Sequence, residues 1–523
     1  MRVFRTLLEQ KIWERRQTFE EFAEFAEVFA REHGEPGSVS ARHVQRLAGG
    51  RGPGGRPLGP VRPATARLLE RIFGVSVDEL LSPPARSEEV TQDLDDESVE
   101  LLDGAGTDGI RELAGWLPDS TRRKVAVRLE NLDLGRVRDR RARLRGVGRS
   151  QLARALADYY ADGSAEYQPY RVEVDGRIVL TSVLSRPEWS KLAVPLTVDT
   201  DRIALVDVEL DGLGQIGNLN DHPAVDRLAE AAALGVRITN KPLYRLLHVD
   251  IRDGVISGRV GLAHFGVYAL TMDLLESEFA EELSASRSGR FPLRDRLLPD
   301  LTAVLDLQGR LCAGGVASLC AIARPADAYR GPADYALLVQ ERSGQVVNAA
   351  GRLAVIPKGF HEPLSDVRAD ARIGSTVRRE MEEELFGRVE VDSTAGGSRA
   401  ALPMHPDRLS VPMRWLLDAP ERLSTECTGF GLNLVSGNYE FAGLIVIEDE
   451  EFWTRFGGHI EANWESSGLR LYSSLDGDLI SKLVMDESWT NEGLFAFLQG
   501  IRRLREIGGR RVHLPAVEFA SGG

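Results

Sequence analysis

Arg379-Glu380-Met381-Glu382-Glu383-Glu384 is the stretch on which the reading of this chain turns. On a helix, Glu380 lies three and four residues before Glu383 and Glu384, so these carboxylates share one face. Like charges gathered in this way call for a cation. A hard divalent ion such as magnesium takes oxygen ligands and bridges carboxylates to phosphates. The flanks extend the pattern. Ile373, Val377, Met381 and Leu385 recur at helical spacing, which predicts a helix from about Ile373 to Phe386 with an apolar inner side. Upstream, Gly315 to Ala323, Tyr335 to Glu341 and Leu353 to Pro357 read as strands, the last running into Lys358-Gly359-Phe360. Downstream, Gly431 to Val435 and Phe441 to Ile447 read as strands around Ser436-Gly437-Asn438, and a helix near Asn491 to Arg505 follows.

The motif resembles the core of the Nudix box, G-x5-E-x7-R-E-U-x-E-E-x-G-U with U apolar. Arg379 to Glu384 carries the specific part of the match. The upstream half departs from it: Ala371 stands where the first Glu falls and Ser365 where the first Gly falls. Counted from Gly359, the loop is six residues too long, with Glu362 and Asp366 inside it, and Phe386 occupies the later Gly position. The resemblance implies a C-terminal Nudix-like α/β/α sandwich over about 330–510. It further implies that Glu380, Glu383 and Glu384 hold magnesium or activate water and that Arg379 orients them. Lys358, Gly359 and Glu362 would line the pocket for a nucleotide or nucleotide-sugar ligand. Three readings follow: a ligand sensor on this fold; a pyrophosphohydrolase with Glu383, Glu384 and Arg379 as its catalytic set; or a solvated acidic helix in another α+β fold, with Arg379 and Glu383 paired at i,i+4.

The first 82 residues read as helical throughout. Phe19, Phe22, Phe25, Ala26 and Phe29 form one stripe, and a turn at Gly34-Glu35-Pro36-Gly37 precedes a helix ending near Leu47. In that helix Arg42, His43, Gln45 and Arg46 are available to bases or phosphates, while Val44 and Leu47 face inward. Arg forks onto guanine and Gln onto adenine. Arg51, Arg56 and Arg62 follow on a glycine-rich loop suited to backbone contact. The segment resembles the helix-turn-helix of bacterial regulators of the xenobiotic-response-element type, including a closing Phe73-Gly74-Val75-Ser76-Val77-Asp78-Glu79-Leu80. The resemblance implies binding to double-stranded DNA, as a homodimer.

An acidic linker at 83–98 leads to a helical connector at 99–164. Between Asp119 and Arg149 the connector carries eleven Arg or Lys against four Asp or Glu, which suits a charged face meeting the acidic remainder of the chain. From Tyr170 the period becomes two, with an Asp175-Gly176 hairpin turn, and 165–329 reads as an α+β domain of unknown type. The 523 residues exceed a single core, and the net charge of −14 argues against wholesale coating of nucleic acid but leaves room for a local basic patch. Cys312, Cys320 and Cys427 have no zinc spacing and read as core residues of a reducing compartment. No apolar run reaches the roughly 20 residues that cross a bilayer, so the protein is expected to be cytoplasmic with no membrane partner. The expected architecture is thus an all-α helix-turn-helix head and helical connector, then an α+β body ending in the Nudix-like sandwich. The expected function is a DNA-binding transcriptional regulator that senses a nucleotide-type ligand. A magnesium-dependent hydrolase of nucleoside diphosphate derivatives is the alternative.

Overall fold

The computed structural model describes residues 5–14, 19–32, 39–49, 61, 63–73, 75–82, 116–161, 166–210, 222–234, 236, 238, 240–285, 289–342, 351–388, 404–457 and 466–520. They fall into two compact units, Met1–Asp93 and Leu94–Gly523. The Gly34–Gly37 turn, the arginine loop with Arg51, Arg56 and Arg62, and the linker 83–98 lie outside the described residues.

The smaller unit holds α1 (Leu7–Glu14), α2 (Phe19–Glu32), α3 (Ala41–Ala48), α4 (Pro63–Phe73) and α5 (Val77–Leu81). Leu8, Ile12, Phe22, Ala26, Val44, Leu47, Leu68 and Leu80 close a common core, and Phe22 stacks on Phe73 with ring centroids 5.4 Å apart. The Thr6 hydroxyl donates to the carbonyl of Ala48 at 2.8 Å, answering one of the open acceptors at the end of α3.

In the larger unit, α6 (Asp119–Glu130), α7 (Leu134–Arg145) and α8 (Arg149–Tyr159) precede the first strands. The strands are β1 (Gln168–Val174), β2 (Arg177–Ser185), β3 (Val194–Pro195), β4 (Asp201–Leu210), β5 (Pro242–Arg252), β6 (Val255–His264), β7 (Gly314–Arg324), β8 (Asp334–Arg342), β9 (Leu353–Val355), β10 (Lys358–Phe360), β11 (Leu423–Asn433), β12 (Asn438–Ile447), β13 (Ser466–Ser473) and β14 (Glu518–Phe519). Among them run α9 (His222–Leu234), α10 (Leu274–Ser284), α11 (Ile373–Glu380) and α12 (Asn491–Ile507).

Eleven strands make one sheet in the order β13-β8-β7-β12-β11-β2-β1-β14, with β10 on β7, β3 on β11 and β9 on β8. β7 and β12 pair in parallel over nine registered residues, from Tyr439↔Gly314 to Ile447↔Ile322. Both strands are buried along their full length, as a strand covered on both faces must be. The side chains alternate between two cores. Leu319, Ala321, Leu444 and Val446 meet Leu494, Phe495, Leu498 and Ile501 of α12. Val316, Cys320, Phe441 and Ile445 share the opposite core with Ile373, Val377, Met381 and Leu385. A three-stranded sheet, β4-β6-β5, adds to that side. Asp175 and Gly176 both adopt positive φ, the geometry of a two-residue hairpin turn matched to strand twist.

The architecture corrects the expected fold class. The chain is an α+β protein dominated by one mixed sheet, in place of an all-α helix-turn-helix head, a helical connector and a separate C-terminal Nudix-like sandwich. β1 and β2, read as part of another domain, pair with β11 and β14 inside the same sheet. Alternation shows that a segment is a strand; it does not show which strand it joins. In the smaller unit the eight residues 33–40 separate α2 from α3, whereas a helix-turn-helix pair is joined by about 3–4 residues.

Arg294 locks the larger unit internally. Its side chain is fully buried and donates to the carbonyls of Leu434 at 2.6 Å, Val435 at 2.5 Å and Leu275 at 3.3 Å, and to the Tyr160 hydroxyl at 3.0 Å. Arg294→Met leaves these acceptors buried without a donor and is expected to cost about 3 kcal/mol or more in denaturant unfolding of the larger unit. A loss below about 1 kcal/mol would show that water or a neighbouring group replaces the guanidinium.

Candidate functional site

The acidic helix is held at both ends. Asp201, at the start of β4, accepts from the N–H of Gly374 at 2.9 Å and so anchors the first turn of α11. At the other end, Met381–Leu385 forms a π-helical turn, with the N–H of Phe386 reaching the carbonyl of Met381. Arg379 donates to the carbonyls of Phe360 at 2.8 Å and Glu362 at 3.1 Å, and to Glu380 Oε1 at 2.6 Å. Burial opposes its charge, but Glu380, Glu362 and Glu383 outweigh burial and raise its pKa. Gly359 fits beneath because it lacks a side chain: a Cβ there would lie 2.0 Å from Glu380 Oε1.

The carboxylates take separate partners. Glu382 is fully buried and accepts from Ser410 Oγ at 2.7 Å and Arg388 Nη1 at 3.0 Å. Glu384 accepts from the Lys358 N–H at 2.6 Å, with Gln340 Nε2 at 3.5 Å. Among the described residues no group of three or more His, Cys, Asp or Glu is arranged to hold a metal ion. As placed, Glu380, Glu383 and Glu384 therefore do not fit a magnesium ion; Arg379 and a backbone N–H answer the charges of Glu380 and Glu384. The solvated-helix reading fares no better, since Glu380, Glu382 and Glu384 are buried.

Lys358 carries the chain from this face of the sheet to the other. Its ammonium pairs with Glu492 Oε1 at 2.6 Å, in the first turn of α12, and Asn433 Nδ2 approaches Glu492 Oε2 at 3.5 Å. Lys358 overcomes the effect of burial and lowers the Glu492 pKa. Beside this pair lies Glu440, 6% exposed, with no hydrogen bond or ion pair from its carboxyl among the described residues. Burial pushes Glu440 up to about 8, Glu492 adds to the rise, and Lys358 and Arg342 oppose it. Glu276 of α10 makes no such bond either. Burial, Asp273 and Glu492 push it up to about 7 against Arg352 and Lys358. The structure thus gathers Lys358, Glu440, Glu492 and Glu276 into a charged cluster at the amino end of α12.

Of the residues singled out from sequence, Lys358 lies in this cluster, Gly359 packs under Glu380, and Glu362 offers its carbonyl to Arg379. His361, beside Glu362 in the same segment, is fully buried. Its Nδ1 lies 2.8 Å from the Tyr439 hydroxyl, and burial, helped by Arg379, pushes its pKa down to about 3. In the smaller unit, Arg42, Gln45 and Arg46 are exposed on α3, His43 is half-buried, and Val44, Leu47 and Ala48 are buried. Arg51 lies outside the described residues. Glu440, Glu492 and Glu276 were not identified as site residues from sequence. A carboxylate within the apolar run Tyr439 to Ile447 is a usable signal for Glu440; Glu276 and Glu492 sit in ordinary helical contexts.

Among the described residues no helix is long and apolar enough to cross a membrane. No protein-family model and no curated protein matches this sequence.

The cluster has a pH signature. Glu440 stays protonated in the folded chain up to about pH 8, against an ordinary 4.5, so within that window the native state binds the extra proton. Stability therefore falls as pH rises through the window. Glu440→Gln removes the titration while keeping the neutral shape. The Tm of the variant minus that of the wild type is expected to grow by roughly 2 °C or more between about pH 5 and pH 8 in thermal unfolding. A difference independent of pH would mean that Glu440 is ionised throughout.

Proposed function

We propose that this chain is a DNA-binding regulator of transcription, acting in the cytoplasm as a homodimer, whose larger unit senses a nucleotide-type ligand. The observation that carries the reading is the two-sided character of α3. Val44, Leu47 and Ala48 are buried in the helical core, while Arg42, Gln45 and Arg46 stand in solvent on a short rigid element. Such a face provides two guanidiniums for phosphate oxygens or guanine edges and an amide for adenine. It belongs to a compact unit distinct from the acid-rich body, so a local positive surface coexists with a net charge of −14. The ligand half of the reading draws on the charged cluster around Lys358, where the carboxyls of Glu440 and Glu276 make no hydrogen bond or ion pair among the described residues.

The test is selection of bound fragments from fragmented host genomic DNA by the purified full chain at physiological salt. Enrichment of a few sites sharing a sequence is expected. Arg42→Ala with Arg46→Ala should weaken binding and lower the slope of log K against log salt by about two, one for each lost phosphate contact. Retention no better than for random DNA, or a slope unchanged in the double variant, would overturn the reading.

A further inference from the structure

α7, α9 and α10 enclose a cavity of about 110 Å³, room for several waters and hence for a phosphate-sized group. Its wall includes Arg140, Arg141, Arg145, Arg227, Arg352 and Glu276. Five guanidiniums around so small a volume repel one another unless anions answer them, and the protein answers only some. Arg140 pairs with Glu230 at 2.6 Å and Glu281 at 2.8 Å, and Arg227 pairs with Asp273 at 2.6 Å. Arg352 directs its donors to the carbonyls of Val147 at 2.7 Å, Glu487 at 3.2 Å and Arg145 at 3.3 Å, which hold it in place without cancelling its charge. The side chains of Arg141 and Arg145, one turn apart on α7, make no hydrogen bond or ion pair among the described residues. Burial, and then the crowding of Arg227, Arg145 and Arg140, lowers the Arg141 pKa, as expected where guanidiniums converge. Arg145 is exposed, so this side of the wall is open to solvent.

We propose that this cavity is a binding site for a phosphate-bearing small molecule, with the phosphate or diphosphate on Arg141, Arg145 and Arg352 and Glu276 facing a hydroxyl or amino group of the same ligand. Guanidinium forks match phosphate oxygens in pairs, and Arg352 is already oriented by its carbonyl contacts. Glu276 supplies acceptor oxygens and disfavours a ligand that is anionic all round. The site localises the ligand half of the proposed function and rests on that half alone; α3 and DNA have no part in it.

The experiment is isothermal titration calorimetry of the full chain, without DNA, against inorganic pyrophosphate and against ADP. Saturable binding of pyrophosphate is expected. The Arg141→Ala/Arg145→Ala double variant should weaken it by about tenfold or more, the loss of two charge-assisted contacts. Neither side chain makes a hydrogen bond among the described residues, so the variant should keep the wild-type circular dichroism and unfolding midpoint. Arg136→Ala, on an exposed part of α7, should bind as wild type. Glu276→Gln, which removes an opposing carboxylate, should bind pyrophosphate more tightly. Tighter binding of ADP than of pyrophosphate would identify a nucleotide as the source of the phosphate, and equal affinity a free polyphosphate. Absence of saturable pyrophosphate binding to the wild type at millimolar concentration, or equal affinity in the folded double variant, would overturn the proposal and leave the DNA-binding reading intact. Loss of DNA selection with pyrophosphate binding retained would do the reverse.

Discussion

The parallel pairing of β7 with β12 is the constraint from which the rest of the larger unit follows. A parallel pair cannot be closed by a tight turn; it needs a crossover. Here the crossover holds β8, β9, β10, α11 and β11, and it returns the chain beside β7 only after that whole excursion. Because both central strands are apolar on both sides, each face must be covered. α11 and its π-helical continuation help cover one face and α12 the other. The glutamate-rich helix is thus held against the sheet by Ile373, Val377, Met381 and Leu385, and its carboxylates are drawn into an interior where each needs an answer.

Those answers come from close at hand. Arg379 binds Glu380 and ties the helix to the backbone of the preceding loop; Arg388 and Ser410 bind Glu382; the backbone of Lys358 binds Glu384. A buried ion pair adds little net stability, but removing one partner strands the other. The motif therefore works as a clamp on the 358–362 loop and directs the Lys358 side chain to the far face, where it meets Glu492. The side chains without a hydrogen-bond or ion-pair partner among the described residues lie elsewhere: the carboxyls of Glu440 and Glu276 and, around the cavity, the guanidiniums of Arg141 and Arg145. The connector helices bring part of that arginine set because their other basic residues find partners on the body: Arg128 with Asp226, Arg140 with Glu230, Arg149 with Glu487.

Much of the local structure was legible in the sequence. The Asp175-Gly176 hairpin, the strands at Gly315 to Ala323 and Tyr335 to Glu341, and the helix from Ile373 all lie where periodicity and turn chemistry put them, because each depends on its own side chains. Other pieces were not. The helices Phe265–Ala269 and Leu274–Ser284 are separated by a break at Leu270 to Asp273 that the spacing of their side chains does not announce. β5 and β6, with a hairpin turn at Asp253-Gly254, passed unnoticed, because their apolar and polar residues alternate imperfectly across a bulge near Leu246 and His248. The cluster around Lys358 is the least legible part. Its members come from β10, α10, β12 and α12, more than 200 residues apart in places, and no spacing rule links them.

By itself the sequence determined the helical spacing within Leu7–Glu14, Phe19–Glu32, Ala41–Ala48 and Pro63–Phe73, the change of period at Tyr170, the apolar inner side of the acidic helix and the solvent-facing arginines of α3. These are properties of neighbouring residues and survive whatever the chain does at a distance. The tertiary structure alone decided that β1 and β2 join the sheet of β7 and β12, that Glu380, Glu382 and Glu384 take separate partners, and that arginines of the connector meet Glu276 around a common cavity. Each of these depends on which surfaces bury one another. The free energy of a buried charge is set by the atoms placed around it, and the order of residues along the chain does not contain that arrangement explicitly.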